Sequence, residues 1–337
     1  MITFVGADSP SFFNFKGHIE KSAADEITIP PLALQIDRQN LKKETDTILT
    51  AADSDGSFVS FTLGENYYIY ALQPSSGAEP DFVISINSTY PDTYTENNSR
   101  KIGGFHYGLI RTTAQRYNDT ANIDVNILPN SVWSLNYRPY CDPTGMVKVS
   151  NFWADIYLAS EGAGTWPDTE LVSDYNALPV SGTEYYNWYD FARGFSNANK
   201  RMLDYQEWVQ AAYGSPEGHD GDNNAAWSAT SNNDRTETGT VEQAVSCYNL
   251  VDCAGNLWET LNTFGGSSSS VWKDSLRTGK DSGFKLGEIY SLIRMATAGG
   301  SLGGGTNCGS RTLYLSNEPS YVSTGIGSRG ACAHLSV

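Results

Sequence analysis

Ala298-Gly299-Gly300-Ser301-Leu302-Gly303-Gly304-Gly305-Thr306-Asn307-Cys308-Gly309-Ser310-Arg311 and, further on, Ile326-Gly327-Ser328-Arg329-Gly330-Ala331-Cys332-Ala333-His334-Leu335 carry the reading of this chain. Ser, Gly, Asn, Thr and Tyr dominate from residue 298 onward, Lys is absent and Glu318 is the one acid there. Strand periodicity puts Ser301, Gly303, Gly305 and Asn307 on one face and Leu302, Gly304, Thr306 and Cys308 on the other. A second alternation sets Tyr321, Ser323 and Gly325 against Val322, Thr324 and Ile326. Tyr supplies rigid contact area, while Ser, Gly and Asn supply adaptable hydrogen bonding, as on binding surfaces. By composition alone, however, the stretch reads as glycine-rich loops that close a fold.

The 337 residues suffice for two domains with separate cores. Charged residues are 18% of the chain, and Gly (32), Tyr (20) and Trp (8) are plentiful, which describes a β-rich globular protein. A formal charge of -16 argues against nucleic acid and anionic membranes as partners. No apolar run approaches a membrane span, so membrane insertion is not expected. Met1-Ile2-Thr3-Phe4 lacks the basic start of a signal peptide, so synthesis in a cytosol is expected. The five cysteines are Cys141, Cys247, Cys253, Cys308 and Cys332. None sits in a C-x-x-C pair, and buried free thiols are the default reading; a Cys308–Cys332 disulfide is the less favoured alternative.

Residues 1–99 read as a β-rich spacer or assembly domain, resembling a small sandwich. Its strands are expected at Ser57–Leu63, Tyr67–Leu72 and Asp81–Ile86. Ser9–Phe15 and Ile27–Pro31 read as an extended arm whose apolar residues need a neighbour, such as another subunit. The boundary is expected in Ser88–Ser99, with Arg100–Tyr107 opening residues 100–337. His106 reads as a hydrogen-bonded core residue. Asp155, inside apolar Asn151–Leu158, reads as a structural acceptor from backbone N–H groups or Arg138.

Asn187–Ala198 is amphipathic, with Trp188, Phe191, Ala192 and Phe195 on one face. Asp204–Tyr213 is a second helix, with Asp204 and Glu207 as a capping box and Gly214 as its stop. Asp220-Gly221-Asp222-Asn223-Asn224 begins like a calcium loop and then lacks the remaining ligands, so it reads as a solvated loop. Gly265–Ser270 and Arg277–Gly283 read as further loops. No metal or cofactor is expected.

Three ordered motifs carry a resemblance. Lys200–Trp208 resembles the "RLP-x-x-x-EW" helix of the formylglycine-generating-enzyme type of C-type lectin fold. Cys253-Ala254-Gly255-Asn256-Leu257-Trp258-Glu259 resembles its "GN-V/L-WE" strand. Gly299-Gly300-Ser301, Ser310-Arg311 and Gly327-Ser328-Arg329 resemble its closing strands. The implied class is α+β, with a C-terminal C-type lectin fold after the small β domain. Trp208, Trp258 and Arg311 are accordingly expected to be structural.

Arg100–Tyr107, Tyr137–Pro139, Asp142–Met146, Phe152–Leu158 and the tail from Gly299 to Leu335 are more narrowly similar to the major tropism determinant family of phages. In that family a diversity-generating retroelement rewrites the end of the receptor-binding protein. The family's variable sites, carried over by position, are Ser301, Gly303, Gly305, Asn307, Tyr314, Ser316, Asn317, Tyr321, Ser323, Gly325 and Ile326. Replacement of template adenines turns an Asn codon AAY into NNY; none of these residues is Lys, Glu, Gln, Met or Trp, as that route requires. Leu302 departs from the family's usual Trp, and Ser328 from the wider fold's Phe.

The resemblance implies a homotrimer at a tail-fibre tip of the virion, contacting other tail-fibre proteins and binding a host-surface protein or glycan. Tyr314, Tyr321 and Ile326 are the expected anchors. The runner-up is a thiol oxidase of the formylglycine-generating type. It needs an activated cysteine pair near the closing strands, where Cys308 has no thiol within a few residues and Cys332 lies after Arg329. No catalytic residues are therefore assigned.

Overall fold

The computed structural model describes residues 12–216, 235–273, 278–282, 289–304 and 307–335. It divides into two compact units: Met1–Gly108 with Asn126–Arg138 and Leu335–Val337, and Leu109–Val125 with Pro139–His334. The expected junction at residue 99 instead falls on the first residue of the 12-residue strand Ser99–Ile110. That strand is central to the first unit's largest sheet, between Asn66–Leu72 and Asp124–Ile127, and its ladder carries the chain past the polar turn that suggested a boundary.

Two three-stranded sheets complete the first unit, one from Phe13–Phe15, Leu32–Ile36 and Gln39–Lys43, the other from Glu20–Ala23, Glu26–Ile29 and Thr47–Leu49. Ile27, Leu34, Ile69, Ile84, Phe105 and Val132 meet in one core. The expected arm is thus part of the domain: Phe15, Ile27 and Ile29 are buried within their own chain, and Phe12 alone of the named apolar residues is exposed. Strands are present at Asn66–Leu72 and Asp81–Ser85 but not at Ser57–Leu63. There Asp55 accepts from Ser57 N–H and fixes a turn, while Phe58 and Phe61 pack on Tyr67 with centroids at 4.8 and 4.9 Å. Their alternation with polar residues marks two aromatic plugs, not a strand.

His106 is buried, with Nδ1 2.9 Å from Asn66 Oδ1. Burial depresses its pKa to about 3, so it is neutral.

The second unit contains the two α-helices of the described residues, Trp188–Asn197 and Tyr205–Ala211. Each begins with a capping box, Asn187 with Asp190 and Asp204 with Glu207. One four-stranded sheet runs Met146–Val149, Phe152–Asp155, Gly330–Ala333, Arg201–Met202. Another runs Gly309–Tyr314, Ile289–Gly299, Trp258–Lys273, Ile326–Ser328. Gly265–Ser270, expected as a loop, lies inside the 16-residue strand Trp258–Lys273. Pairing with Ile289–Gly299 supplies backbone partners that a Gly/Ser composition does not announce. From the other expected loop, Thr278 Oγ1 donates to Ser320 O and Lys280 Nζ lies 4.4 Å from the Tyr186 ring centroid. The sequence around Asp220 lies outside the described residues.

Asp155 is fully buried and accepts from Gly330 N–H at 3.1 Å and Lys200 Nζ at 2.6 Å. The cation is therefore Lys200, not the expected Arg138. Burial opposes the Lys200 charge, but the Asp155 carboxylate outweighs it and holds the ammonium above its ordinary pKa. Beside this pair Arg329 uses every donor. Nε and Nη2 go to the Glu259 carboxylate at 2.9 and 3.1 Å, and the remainder to the carbonyls of Asp155, Ile156 and Val251.

Glu259→Gln is expected to destabilise by about 3–5 kcal/mol in urea unfolding, because it strands a buried guanidinium charge. Unchanged stability would contradict a buried pair. For His106, whose folded pKa lies below the unfolded value, stability is present above the unfolded pKa and falls as pH drops. Between pH 7 and pH 5 the proton uptake of the unfolded chain costs about 2 kcal/mol. His106→Gln should lose that increment of pH dependence; an unaltered pH profile would show that His106 titrates normally.

Candidate ligand-binding face

Residues 301–304 and 321–325 are turns, not the alternating strands that their pattern suggested. Gly300 bends the chain at φ +91, and a Cβ there would overlap Cys308. Leu302 N–H then donates to Asn256 O at 3.0 Å, and Gly304 N–H to Ser301 O at 2.8 Å. Strand Gly309–Tyr314 follows, paired with Ile289–Gly299 so that Tyr314 opposes Thr297.

Past the strand, the scaffold holds this segment by its backbone. Arg294 Nη1 donates to Ser316 O at 2.6 Å, and Met295 N–H to Asn317 O at 2.9 Å. Trp188 N–H reaches Pro319 O, Gly182 N–H reaches Ser323 O, and Trp258 N–H reaches Gly325 O. The Gly182 contact is close enough that a Cβ there would overlap the Ser323 backbone. The turn carrying Gly182 is itself clamped by Arg235, which donates to Ser181 Oγ and both Glu184 oxygens. Burial opposes the Glu184 charge, and hydrogen bonds from Arg235 and Ser181 N–H overcome it, leaving the carboxyl below its usual range.

Several of the side chains on this segment are exposed. Tyr314 is 43% and Tyr321 48% exposed. Gly303, Asn307 and Ser316 are exposed; Ser301, Asn317, Ser323 and Gly325 are half-buried. Gly305 lies outside the described residues. Ile326 is a correction to the expected anchors: at 5% exposure it sits in strand Ile326–Ser328, paired in parallel with Trp258–Lys273 and turned into the core.

Two expected structural residues are also corrected. Trp258 is half-buried, and its ring lies under Tyr314 with centroids 5.6 Å apart, so it is a platform for the face. Arg311 is exposed and lines an open cleft of about 610 Å³ with Tyr117, Ser215 and Thr312. Trp208 is buried as expected. Sequence reading missed Phe264, Leu313 and Leu315, exposed apolar residues of the same sheet region; Leu315 lies in ordinary van der Waals range of a Cβ at Gly265. The apolar Leu313-Tyr314-Leu315 run was the available signal.

The two thiols considered for an oxidase have different neighbours. Cys308 Sγ lies 3.3 Å from Ser301 O, and Cys332 Sγ accepts from Cys141 N–H at 3.2 Å. Burial raises the Cys253 thiol far above its ordinary pKa, which keeps it protonated.

The scaffold is α+β, holds these polar loops by their backbones and leaves Tyr314 and Tyr321 exposed. Residues 19–134 match the family model of the Mtd second domain. The tail fiber receptor-binding protein of Bordetella phage BPP-1 is 29% identical over 301 residues, covering 84% of this chain and 75% of that protein. Among solved structures, the Major Tropism Determinant P3c variant superposes with TM-score 0.78 at 25% identity, covering 97% of this chain and 87% of that one. The M1 variant gives 0.76 at 26% identity, covering 99% and 86%. The chain is thus similar to the major tropism determinants over nearly its whole length.

Gly182→Ala is expected to cost about 1–3 kcal/mol, because the Ser323 backbone must yield to the new methyl. A melting temperature within error of the unsubstituted chain would show that this loop is not held there.

Proposed function

We propose that this protein is the receptor-binding protein at a phage tail-fibre tip, and that Ser301, Gly303, Gly305, Asn307, Tyr314, Ser316, Asn317, Tyr321, Ser323 and Gly325 form its host-contacting, diversified face. The observation that carries the reading is the division of labour within residues 301–325. Carbonyls of Ser316, Asn317, Pro319, Ser323 and Gly325 are taken by scaffold donors, while Asn307, Tyr314, Ser316 and Tyr321 remain exposed. A loop held by groups that every residue type possesses tolerates exchange of what it displays. The receptor is a host-surface protein or glycan, and the role is non-catalytic. The Bordetella phage relative, a tail fiber receptor-binding protein, supports the assignment.

The chain acts as a homotrimer, so that modest single contacts are multiplied by effective concentration. Its own apolar N-terminal strands do not argue for this, since they fill their own core; the family likeness does. Diversification by a retroelement predicts a neighbouring template copy that differs almost only at adenines.

Anchors near the centre of such a face each cost more than about 1–2 kcal/mol on truncation, whereas exposed positions stay within about ±0.5 kcal/mol in folding. Tyr314→Ala with Tyr321→Ala should therefore abolish adsorption to host cells while the melting temperature stays nearly constant. Adsorption that persists in the folded double variant would place the contact surface elsewhere.

A further inference from the structure

We propose that Cys141 and Cys332 are a modification site, a dithiol that oxidises to an intrachain disulfide tying strand Gly330–Ala333 to the segment Pro139–Cys141. Pro139 and His334 form an antiparallel bridge. Its two flanking hydrogen bonds run from Tyr140 N–H to Ala333 O at 3.2 Å and from Leu335 N–H to Arg138 O at 2.8 Å. That pattern makes Pro139–His334 a non-hydrogen-bonded pair. Two residues further along the two segments lie Cys141 and Cys332. The contact is already made: Cys141 N–H donates to Cys332 Sγ at 3.2 Å. Both cysteines are free thiols.

The pair is also chemically asymmetric. Hydrogen bonds from the Cys141 thiol, opposed by burial and reinforced by the N–H groups of Cys141 and Tyr140, hold Cys332 below its ordinary pKa. The same thiol contact, with burial, pushes Cys141 up. Cys332 Sγ, which accepts the Cys141 N–H, is the attacking sulfur, and Cys141, whose thiol donates to Asp142 O at 3.4 Å, the resolving one. The Cys332 thiolate attacks one sulfur of a small-molecule disulfide, RSSR, and releases RS⁻. Cys141 then gives up its proton, and its sulfur displaces the second RS⁻ from the mixed disulfide. Two protein thiols are oxidised, RSSR is reduced to two RSH, and both protons end on the leaving thiols.

The bridge would join residues 191 apart in sequence and constrain the unfolded chain strongly. Only the setting, folding reduced in a cytosol and oxidising after release, rests on the tail-fibre reading; the pair chemistry does not.

Incubation of the folded chain with glutathione disulfide at mildly alkaline pH tests this. Thiols titrated in denaturant should fall from five to three, and non-reducing peptide mapping should join the Cys141 and Cys332 peptides. The melting temperature should rise by roughly 5–10 °C, and Cys141→Ser should lose that rise. Five titratable thiols, a glutathione adduct on Cys332 without a bridge, or a bridge from Cys332 to Cys308 would each overturn the proposal. Mapping on the unsubstituted chain decides even where Cys141→Ser does not fold. Host adsorption is measured separately, so loss of the receptor reading leaves this result standing.

Discussion

The Arg329 guanidinium joins parts of the second unit that the sequence keeps far apart. Its five N–H donors are all used, on the Glu259 carboxylate and on carbonyls at Asp155, Ile156 and Val251. Arg329 and Glu259 have no exposed side-chain surface, so each charge depends on the other for its solvation. Through this one group, the strand Phe152–Asp155, the start of Trp258–Lys273 and the closing segment are brought into one register. Lys200 and Asp155 form a second buried pair beside it, and Gly330 N–H completes the Asp155 shell. A buried charge must be met with correct geometry, which makes such a cluster intolerant of sliding strands.

That intolerance is what the outer loops draw on. Trp258 belongs to the strand that Glu259 anchors; its backbone N–H holds Gly325 and its ring supports Tyr314. Charged interior, strand and displayed tyrosine therefore form one mechanical chain. A contact surface placed on so fixed a support loses little conformational entropy on binding, and its side chains can be exchanged without touching the buried ions. The -16 net charge has no counterpart in this arrangement, since residues 298–337 hold Glu318 as their one acid.

Much was legible in the residues themselves. Asn187/Asp190 and Asp204/Glu207 announced both helices, because capping is a local contract between neighbours in sequence. Tyr67–Leu72 read as a strand and Asn151–Leu158 as buried, because unbroken apolar runs must leave water. A candidate polar face was proposed from position-by-position likeness and a Tyr/Ser/Gly/Asn vocabulary. Its exposure was inferred from alternation, and there the reasoning failed. Residues 301–304 and 321–325 are turns, where a period of two has no meaning, and Ile326 entered the set only by position.

Tertiary structure alone decided the rest, for a physical reason common to each case: the partner lies far along the chain. Gly265–Ser270 becomes a strand because Ile289–Gly299 pairs with it. Phe15, Ile27 and Ile29 look like an arm until Ile69 and Phe105 supply the core they enter. Asp155 was readable as a buried acceptor, but whether Lys200 or Arg138 would meet it is a matter of strand order. Cys332 meets Cys141 and not Cys308 because the tertiary fold brings the Pro139–His334 bridge together, which residue spacing does not encode. Composition and local pattern determine which residues must be buried, capped or left outside; the pairing of distant strands determines against what.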